Sequence, residues 1–114
     1  ARIRDGIDLV AVHDAARPCI TTALIDAVFG AAAETGAALL GVPVSDTVKR
    51  ADVSHKVEAT VPRKGLWLAQ TPQVFRLDIL RDAYARRASL GADITDDAQL
   101  VEAAGYAVHL VQGS

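Results

Sequence analysis

The first half of the chain alternates short apolar runs with a stretch of helical periodicity. Residues 9–13 (LVAVH) form a short, nearly uninterrupted apolar run, which is typical of a strand buried on both faces. Residues 38–44 form a second such run. Between the two runs, apolar residues recur on one face of a predicted helix at Leu24, Ala27, Val28 and Ala31. Thr21 or Thr22 is placed to cap this helix, and Gly36 is placed to end it.

The order strand, helix, strand predicts a βαβ unit, whose two strands run parallel to each other. The expected fold class is therefore α/β with a mostly parallel sheet. From Ser45 the pattern changes, because residues 45–65 alternate polar with β-branched residues and carry charges on one face. This stretch predicts a projecting β-hairpin arm on a single domain that covers residues 1–114.

The second half predicts a strand, two helices and a last strand. Apolar strand character returns at residues 66–69 (LWLA), where Trp67 is expected in the core, and a helix is expected to follow Phe75. Thr95 is placed to cap a short helix, and Gly105 is placed to stop it before a strand over residues 106–111. The segment QTPQ (residues 70–73) is expected just beyond the strand end, where it either lines a polar pocket or simply terminates the strand.

Composition narrows the class of protein. The chain has 114 residues and is half hydrophobic, which fits one small globular domain rather than a disordered or fibrous protein. Twelve basic and fourteen acidic residues give a net charge of −2, so no nucleic-acid partner is expected. No apolar run approaches the roughly 20 residues that cross a bilayer, so no membrane partner is expected either. The single cysteine, Cys19, excludes an internal disulfide and favours the cytoplasm.

The segment VHDAARP (residues 12–18) carries the main candidate chemistry. It follows the first strand, and ligands bind open α/β sheets beyond the carboxyl ends of the strands. Asp14 has the chemistry to ligate Mg²⁺ or to accept from a substrate hydroxyl, and Arg17 to reach a phosphate. Ala15 and its small neighbour would let backbone N–H groups approach a ligand. An Asp–Arg ion pair that stiffens the turn is an equally good interpretation.

Other candidates have structural alternatives of similar weight. Arg63, in the Pro/Gly turn TVPRKG, either meets an anion such as a phosphate or serves as a solvated hairpin charge. Packing is favoured over general-base chemistry for His13, and helix capping over a ligand contact for Thr95. None of the eight glycines falls into a phosphate-cradling pattern.

Four motifs together resemble the 2-C-methyl-D-erythritol 4-phosphate cytidylyltransferase family. They occur in the family's order and at close to its spacing: VHDAARP, PVSDTVKR, VPRKGLWLAQTPQVF and GADITDDAQLVEAAG. The resemblance covers essentially the whole chain. It implies a partial Rossmann-like nucleotidyltransferase fold and an enzyme that joins CTP to 2-C-methyl-D-erythritol 4-phosphate with the help of Mg²⁺, releasing pyrophosphate.

The resemblance also implies roles for individual residues. Asp14 would hold a substrate hydroxyl near the metal, and Ala15 and Arg17 would face the nucleotide. Arg63 would grip the substrate phosphate. Three threonines would add hydroxyl contacts: Thr47, Thr71 and Thr95. In that family the arm crosses to a second subunit, which implies a homodimer through residues 45–65 in which Thr47 and Arg63 complete the neighbour's site.

The family's glycine-rich CTP loop would precede Ala1, and a lysine motif would follow Ser114. The chain is therefore expected to be an internal portion of the enzyme, with no useful activity by itself. Three alternatives stay open. One is a ribitol or other pentitol 5-phosphate cytidylyltransferase, another is a non-catalytic dimerisation module, and the third is a bifunctional protein fused to the pathway's cyclodiphosphate synthase.

Overall fold

The computed structural model describes residues 2–4, 7–13, 20–91 and 94–113. The elements in these ranges, in chain order, are β1 (Arg2–Arg4), β2 (Ile7–Val12), α1 (Thr22–Thr35), β3 (Ala37–Pro43), β4 (Val48–Ala51), β5 (Val57–Val61), β6 (Trp67–Arg76), α2 (Leu77–Ala85), α3 (Arg87–Leu90), α4 (Asp97–Ala103) and β7 (His109–Gln112). The predicted α/β class is confirmed.

The main sheet has the strand order β1-β2-β6-β3-β7 within the described residues. Strands β2 and β3 run parallel to each other, as the βαβ unit predicts, but β6 lies between them and pairs antiparallel with both. β1 and β2 also pair antiparallel, and only β3 and β7 form a parallel pair in this part of the chain. The prediction of a mostly parallel sheet is therefore wrong for neighbouring strands. The hairpin that follows β3 reverses the direction of the chain. As a result β6 pairs antiparallel with β3 and lies between β3 and β2.

Helix α1 has the ends that the sequence predicts. The Thr21 side chain accepts a hydrogen bond from the Leu24 backbone N–H at 3.2 Å, which caps the first turn. At the other end Gly36 has φ of 99°, and its N–H donates to the Ala32 carbonyl at 2.8 Å. Glycine suits this site because a left-handed residue with a side chain is strained.

Two hydrophobic clusters cover the two faces of the sheet. Alternate residues of β3 point to opposite sides, so Leu39 packs in the cluster with α2 and α4 while Leu40 packs in the cluster with α1. Neighbouring residues of β6 divide in the same way, with Phe75 and Val74 both fully buried. The result is a three-layer arrangement in which α1 covers one face and α2 and α4 cover the other.

The predicted hairpin is present as a separate two-stranded sheet of β4 and β5, paired antiparallel from Val48–Val61 to Ala51–Val57. At its turn Asp52 accepts hydrogen bonds from the backbone N–H groups of Ser54 and Lys56 at 2.8 and 3.0 Å. The ladder between β3 and β6 continues toward the hairpin, because Val44 N–H donates to the Leu66 carbonyl at 3.0 Å.

Strand β6 is longer than the sequence pattern indicates. The segment QTPQ, expected just beyond the strand end, lies within β6, so that placement is wrong. The helix expected to follow Phe75 is confirmed and begins at Leu77. Trp67 was expected in the core but is 36% exposed at the start of this strand, so that prediction is wrong. Apolar residues at the base of the hairpin are not covered by other parts of the described chain.

Candidate functional site

A pocket of about 320 Å³ opens at the end of β2 in the described part of the chain. It lies between the middle of β6, the segment before α4 and the start of α3. Polar and aliphatic side chains both line it: Val12, Thr71, Gln73, Arg87, Ile94, Thr95, Asp96, Asp97 and Leu100. The carboxyl end of β2 and the first turn of α4 therefore meet at one cavity.

Thr71 reaches this cavity because the β6 ladder is irregular. Leu39 of β3 pairs with Gln73 and Gly41 pairs with Ala69, so three residues of β6 lie opposite Leu40 alone. Such an insertion redirects side chains and interrupts pairing. The Thr71 hydroxyl lies 3.2 Å from the Nδ1 atom of His13, the first residue after β2.

Gln73 ties β6 to the first turn of α4. Its side chain is buried, at 5% exposed. The Nε2 group donates to Asp96 Oδ2 at 3.0 Å, and the Oε1 atom accepts from the Ala98 backbone N–H at 3.2 Å. The first N–H groups of a helix have no partner within the helix. The Gln73 side chain supplies a partner for one of them, the Ala98 N–H, in place of water.

Asp96, rather than Thr95, caps α4. Its Oδ1 atom accepts from the Gln99 backbone N–H at 2.7 Å. The Gln99 side chain turns back toward Thr95, whose backbone N–H and hydroxyl both donate to Gln99 Oε1, at 2.7 and 2.9 Å. This is close to a capping box, shifted by one residue. The predicted Thr95 cap is thus wrong, since the longer reach of Gln99 engages the Thr95 hydroxyl and leaves the cap to the carboxylate.

A basic and aromatic pair lies beside the same turn. The Arg87 guanidinium lies 5.8 Å from the centre of the Tyr84 ring. The Tyr84 hydroxyl donates to Asp97 Oδ1, and this hydrogen bond to a carboxylate raises the pKa of the tyrosine. Tyr84 therefore holds Asp97 in place while Arg87 brings a positive charge to the pocket wall.

A second polar cluster anchors the far end of α4. Arg86 donates to Asp82 at 2.8 Å and to the Ala104 carbonyl at 2.7 Å, and the Tyr106 hydroxyl donates to Asp82 at 2.6 Å. The hydrogen bond from Tyr106, followed by that from Arg86, lowers the pKa of Asp82. Both ends of α4 are thus held to the rest of the domain by side chains that the sequence pattern did not single out.

The sequence-predicted site residues fall into three groups. Thr71 and Thr95 line the pocket. Thr47 and Arg63 belong to the hairpin segment and do not line it, and the Arg63 guanidinium donates to the Ser45 carbonyl. The remaining three, Asp14, Ala15 and Arg17, lie outside the described residues. Their roles stay predictions.

Gln73, Arg87 and Gln99 are pocket-region residues that sequence reasoning missed. A signal existed for Gln99, because an acidic cap followed three residues later by Gln is the pattern of a capping box. Gln73 lies within the noted QTPQ segment, but nothing in its spacing pointed to α4. Arg87 belongs to none of the motifs named in the sequence analysis.

The described residues contain no group of three or more His, Cys, Asp or Glu side chains placed to hold a metal ion. The two carboxylates at the pocket, Asp96 and Asp97, are already hydrogen-bonded by neighbouring side chains. In the same part of the chain no helix is long and apolar enough to span a membrane. Among the described residues, the pocket thus offers a ligand hydroxyl, amide and carboxylate hydrogen bonding, with the Arg87 guanidinium as the adjacent cation.

Comparison with known proteins gives concordant matches. The family model described as "IspD: 2-C-methyl-D-erythritol 4-phosphate cytidylyltransferase" matches residues 2–114. A protein of that name from Paraburkholderia phymatum is 50% identical over 110 residues, covering 94% of this chain and 47% of the relative. A "Bifunctional enzyme IspD/IspF" from an Anaeromyxobacter species is 51% identical, covering 99% of this chain and 30% of the relative.

A solved structure agrees with these sequence matches. The crystal structure of 2-C-methyl-D-erythritol 4-phosphate cytidylyltransferase from Thermus thermophilus superposes with a TM-score of 0.80 at 46% identity. The match covers 93% of this chain and 52% of that structure. The chain thus spans about half the length, or less, of the relatives that it matches.

Proposed function

Because the chain belongs to the 2-C-methyl-D-erythritol 4-phosphate cytidylyltransferase family, we propose that it serves cytidylyl transfer from CTP to 2-C-methyl-D-erythritol 4-phosphate in isoprenoid precursor biosynthesis. A phosphate oxygen of the acceptor attacks the α-phosphorus of CTP, the new P–O bond forms, and the bond to pyrophosphate breaks. The observation that carries the proposal is the pocket at the end of β2, where Thr71 and Thr95 lie together.

The chemistry of this reaction asks a protein mainly to align two anions and to offset charge that grows in the transition state. Within the pocket, the hydroxyls of Thr71 and Thr95 would bind the polyol. Arg87 adds positive charge at the same wall. From the family resemblance we further propose that Arg63 and Thr47 bind the acceptor phosphate, that Asp14 holds an acceptor hydroxyl, and that Ala15 and Arg17 face the nucleotide.

We propose Mg²⁺ as the cofactor on the same resemblance. When bound, it would offset the charge of the CTP phosphates. The described residues do not offer a ligand set for it, and the carboxylate to which the resemblance points, Asp14, lies outside them. No residue is therefore assigned as its ligand among those described, and no step of the reaction is derived through the metal.

We also propose that the protein is a cytoplasmic homodimer that pairs through residues 45–65, so that Thr47 and Arg63 act in the neighbour's site. An apolar surface at the base of the hairpin supports this, because Leu66, Trp67, Leu68 and Leu110 are each at least 36% exposed. The Leu110 and Trp67 side chains both lie against Gly41, which joins them into one patch. A single cysteine in the sequence supports the reducing compartment.

The proposed reaction is tested by expressing the full natural reading frame that encodes the chain and measuring pyrophosphate release from CTP. We expect release with 2-C-methyl-D-erythritol 4-phosphate and at least tenfold slower release with ribitol 5-phosphate. Preference for ribitol 5-phosphate would replace the proposed acceptor with a pentitol. No release with either acceptor would contradict the proposed function and favour a dimerisation module. The 114-residue chain assayed by itself is expected to release none.

The proposed dimer is tested by Leu68→Lys, which places a charge among the exposed apolar residues at the base of the hairpin, with Ala103→Lys on α4, outside residues 45–65, as the charge-matched control. Both residues are exposed. Sedimentation of the same full-length protein should show loss of the dimer with Leu68→Lys alone. A monomeric wild type, or a dimer unaffected by Leu68→Lys, would contradict pairing through this surface.

A further inference from the structure

The Gln99 side chain determines what the Thr95 hydroxyl can bind. A backbone N–H can only donate, so the Gln99 atom that meets the Thr95 N–H at 2.7 Å must be the amide oxygen. That contact settles which way the amide of Gln99 is turned, a choice that geometry elsewhere often leaves open. The Thr95 hydroxyl lies 2.9 Å from the same oxygen and therefore has to give its single proton to it.

With its proton committed, the Thr95 oxygen has only lone pairs left for the pocket that it lines. A phosphate monoester is close to its dianion at neutral pH and offers acceptors only. A polyol hydroxyl, in contrast, has a proton to donate. Thr95 as held here therefore accepts from a hydroxyl and does not bind the phosphate oxygens.

Thr71 makes a different kind of contact. Its hydroxyl contacts His13 Nδ1, which donates or accepts according to the tautomer of the ring. The donor in that contact depends on the His13 tautomer, whereas in the contact between Thr95 and Gln99 the donor is the threonine hydroxyl.

The fixed geometry extends into the core of the domain. Gln99 is held by its own backbone N–H on Asp96, and Asp96 is held by the buried Gln73 side chain. Each link is a hydrogen bond of 3.0 Å or less, so Gln99 does not choose its position freely.

We propose that Gln99 is a positioning residue that fixes Thr95 as a hydrogen-bond acceptor for a hydroxyl of the acceptor polyol, so that this side of the pocket selects the polyol and not the phosphate. This inference rests on the proposed function and assigns a role to a residue that does not itself touch substrate.

The kinetic test uses the protein expressed from its full reading frame. Gln99→Leu keeps the approximate volume but removes the accepting oxygen, which frees the Thr95 hydroxyl. We expect the KM for 2-C-methyl-D-erythritol 4-phosphate to rise about three- to tenfold, the value of one neutral hydrogen bond, while the KM for CTP changes less than twofold. The matched control Glu102→Leu, an exposed position on the same helix, should leave both constants unchanged.

A double-mutant cycle separates positioning from a general structural effect. If Gln99 acts through Thr95, adding Gln99→Leu to Thr95→Val should raise the KM no further than Thr95→Val does by itself. Additive effects, or equal rises in KM for both substrates with Gln99→Leu, would overturn the proposal.

A second measurement does not depend on turnover. In the 114-residue chain, Gln99→Leu should expose the Thr95 amide to hydrogen exchange at least tenfold faster by NMR, whereas Gln99→Glu, which keeps an accepting oxygen, should preserve its protection. Unchanged exchange in Gln99→Leu would refute the positioning role. An inactive wild type with the expected exchange pattern would count against the proposed function and not against the hydrogen bonding of Gln99.

Discussion

Replacing Gln73 by leucine tests whether the contact between β6 and α4 holds the pocket together. The substitution keeps an apolar stem of similar size but removes two hydrogen bonds, one to the Asp96 carboxylate at 3.0 Å and one from the Ala98 N–H at 3.2 Å. Gln73 is 5% exposed, so water cannot take its place at the Ala98 N–H without opening the interface between strand and helix.

The size of the effect follows from those two contacts. A hydrogen bond to a charged group contributes about 1.5–3 kcal/mol and a neutral one about 0.5–1.5 kcal/mol. Asp96 is half-buried, so water recovers part of the first term. We therefore expect a loss of about 2 kcal/mol, at the lower end of the combined range. With an unfolding entropy of about 2.1 cal/mol/K per residue, this lowers the Tm of a 114-residue chain by about 8 °C.

The assay is urea denaturation followed by circular dichroism, with thermal unfolding in parallel. Gln112→Leu is the matched control, because it makes the same chemical change at an exposed position on β7 and should cost less than about 0.5 kcal/mol. If Gln73→Leu destabilises the chain no more than Gln112→Leu does, the amide does not hold α4, and the account of how Asp96 and Gln99 are fixed fails with it.

Three further outcomes follow from single contacts. Gly36→Ala should cost about 1–3 kcal/mol of folding stability, because φ is +99° there. Gly30→Ala, whose added Cβ would meet no atom within 4 Å, should instead stabilise α1 by about 0.5–1 kcal/mol. Shifts of the urea midpoint in the same direction for both variants would contradict this. Tyr106→Phe removes the hydrogen bond that contributes most to the lowered pKa of Asp82. A lowered carboxyl pKa stabilises the fold above about pH 4, and this stabilisation is lost as the pH falls through the pKa of the folded state. The wild type should therefore be more stable than Tyr106→Phe at pH 7 and lose that advantage near pH 2. A stability difference that does not change with pH would refute this prediction. In the full-length enzyme, Arg87→Ala should raise the KM for 2-C-methyl-D-erythritol 4-phosphate two- to fourfold at low salt and by less at about 0.5 M salt. An increase in KM that does not depend on salt would exclude an electrostatic role.

The local elements were predictable from sequence because their signals are local. The caps of α1 at Thr21 and Gly36 and the β4–β5 hairpin each depend on residues within a few positions of one another. The strand order was not predictable in the same way. The amino-acid composition of β6 does not indicate that it lies between β2 and β3. A buried central strand is an apolar run whether it pairs parallel or antiparallel with its neighbours.

In the candidate site, too, the residues that belong to local motifs were predictable and the residues that support them were not. Thr71 and Thr95 were singled out by the segments in which they occur, and both line the pocket. The amides that hold the pocket, Gln73 and Gln99, act on residues of another element or on the preceding turn, and a glutamine has no periodicity that reveals its partner. Family motifs indicate which residues to examine, whereas the supporting hydrogen bonds become visible only in three dimensions.

The misjudged end of β6 and the formation of the pocket have the same physical origin. A proline in a central strand is normally a reason to end that strand, because its nitrogen cannot donate to a neighbour. Here Pro72 lies where both neighbouring ladders are interrupted: pairing with β2 reaches only to Gln73, and β3 places one residue, Leu40, opposite three of β6. The missing donor therefore costs no ladder hydrogen bond, and the same interruption lets the adjacent Thr71 reach the cavity instead of the sheet face. A sequence rule for strands fails at the place where the strand departs from regular pairing, and that departure is what puts a hydroxyl beside the end of β2.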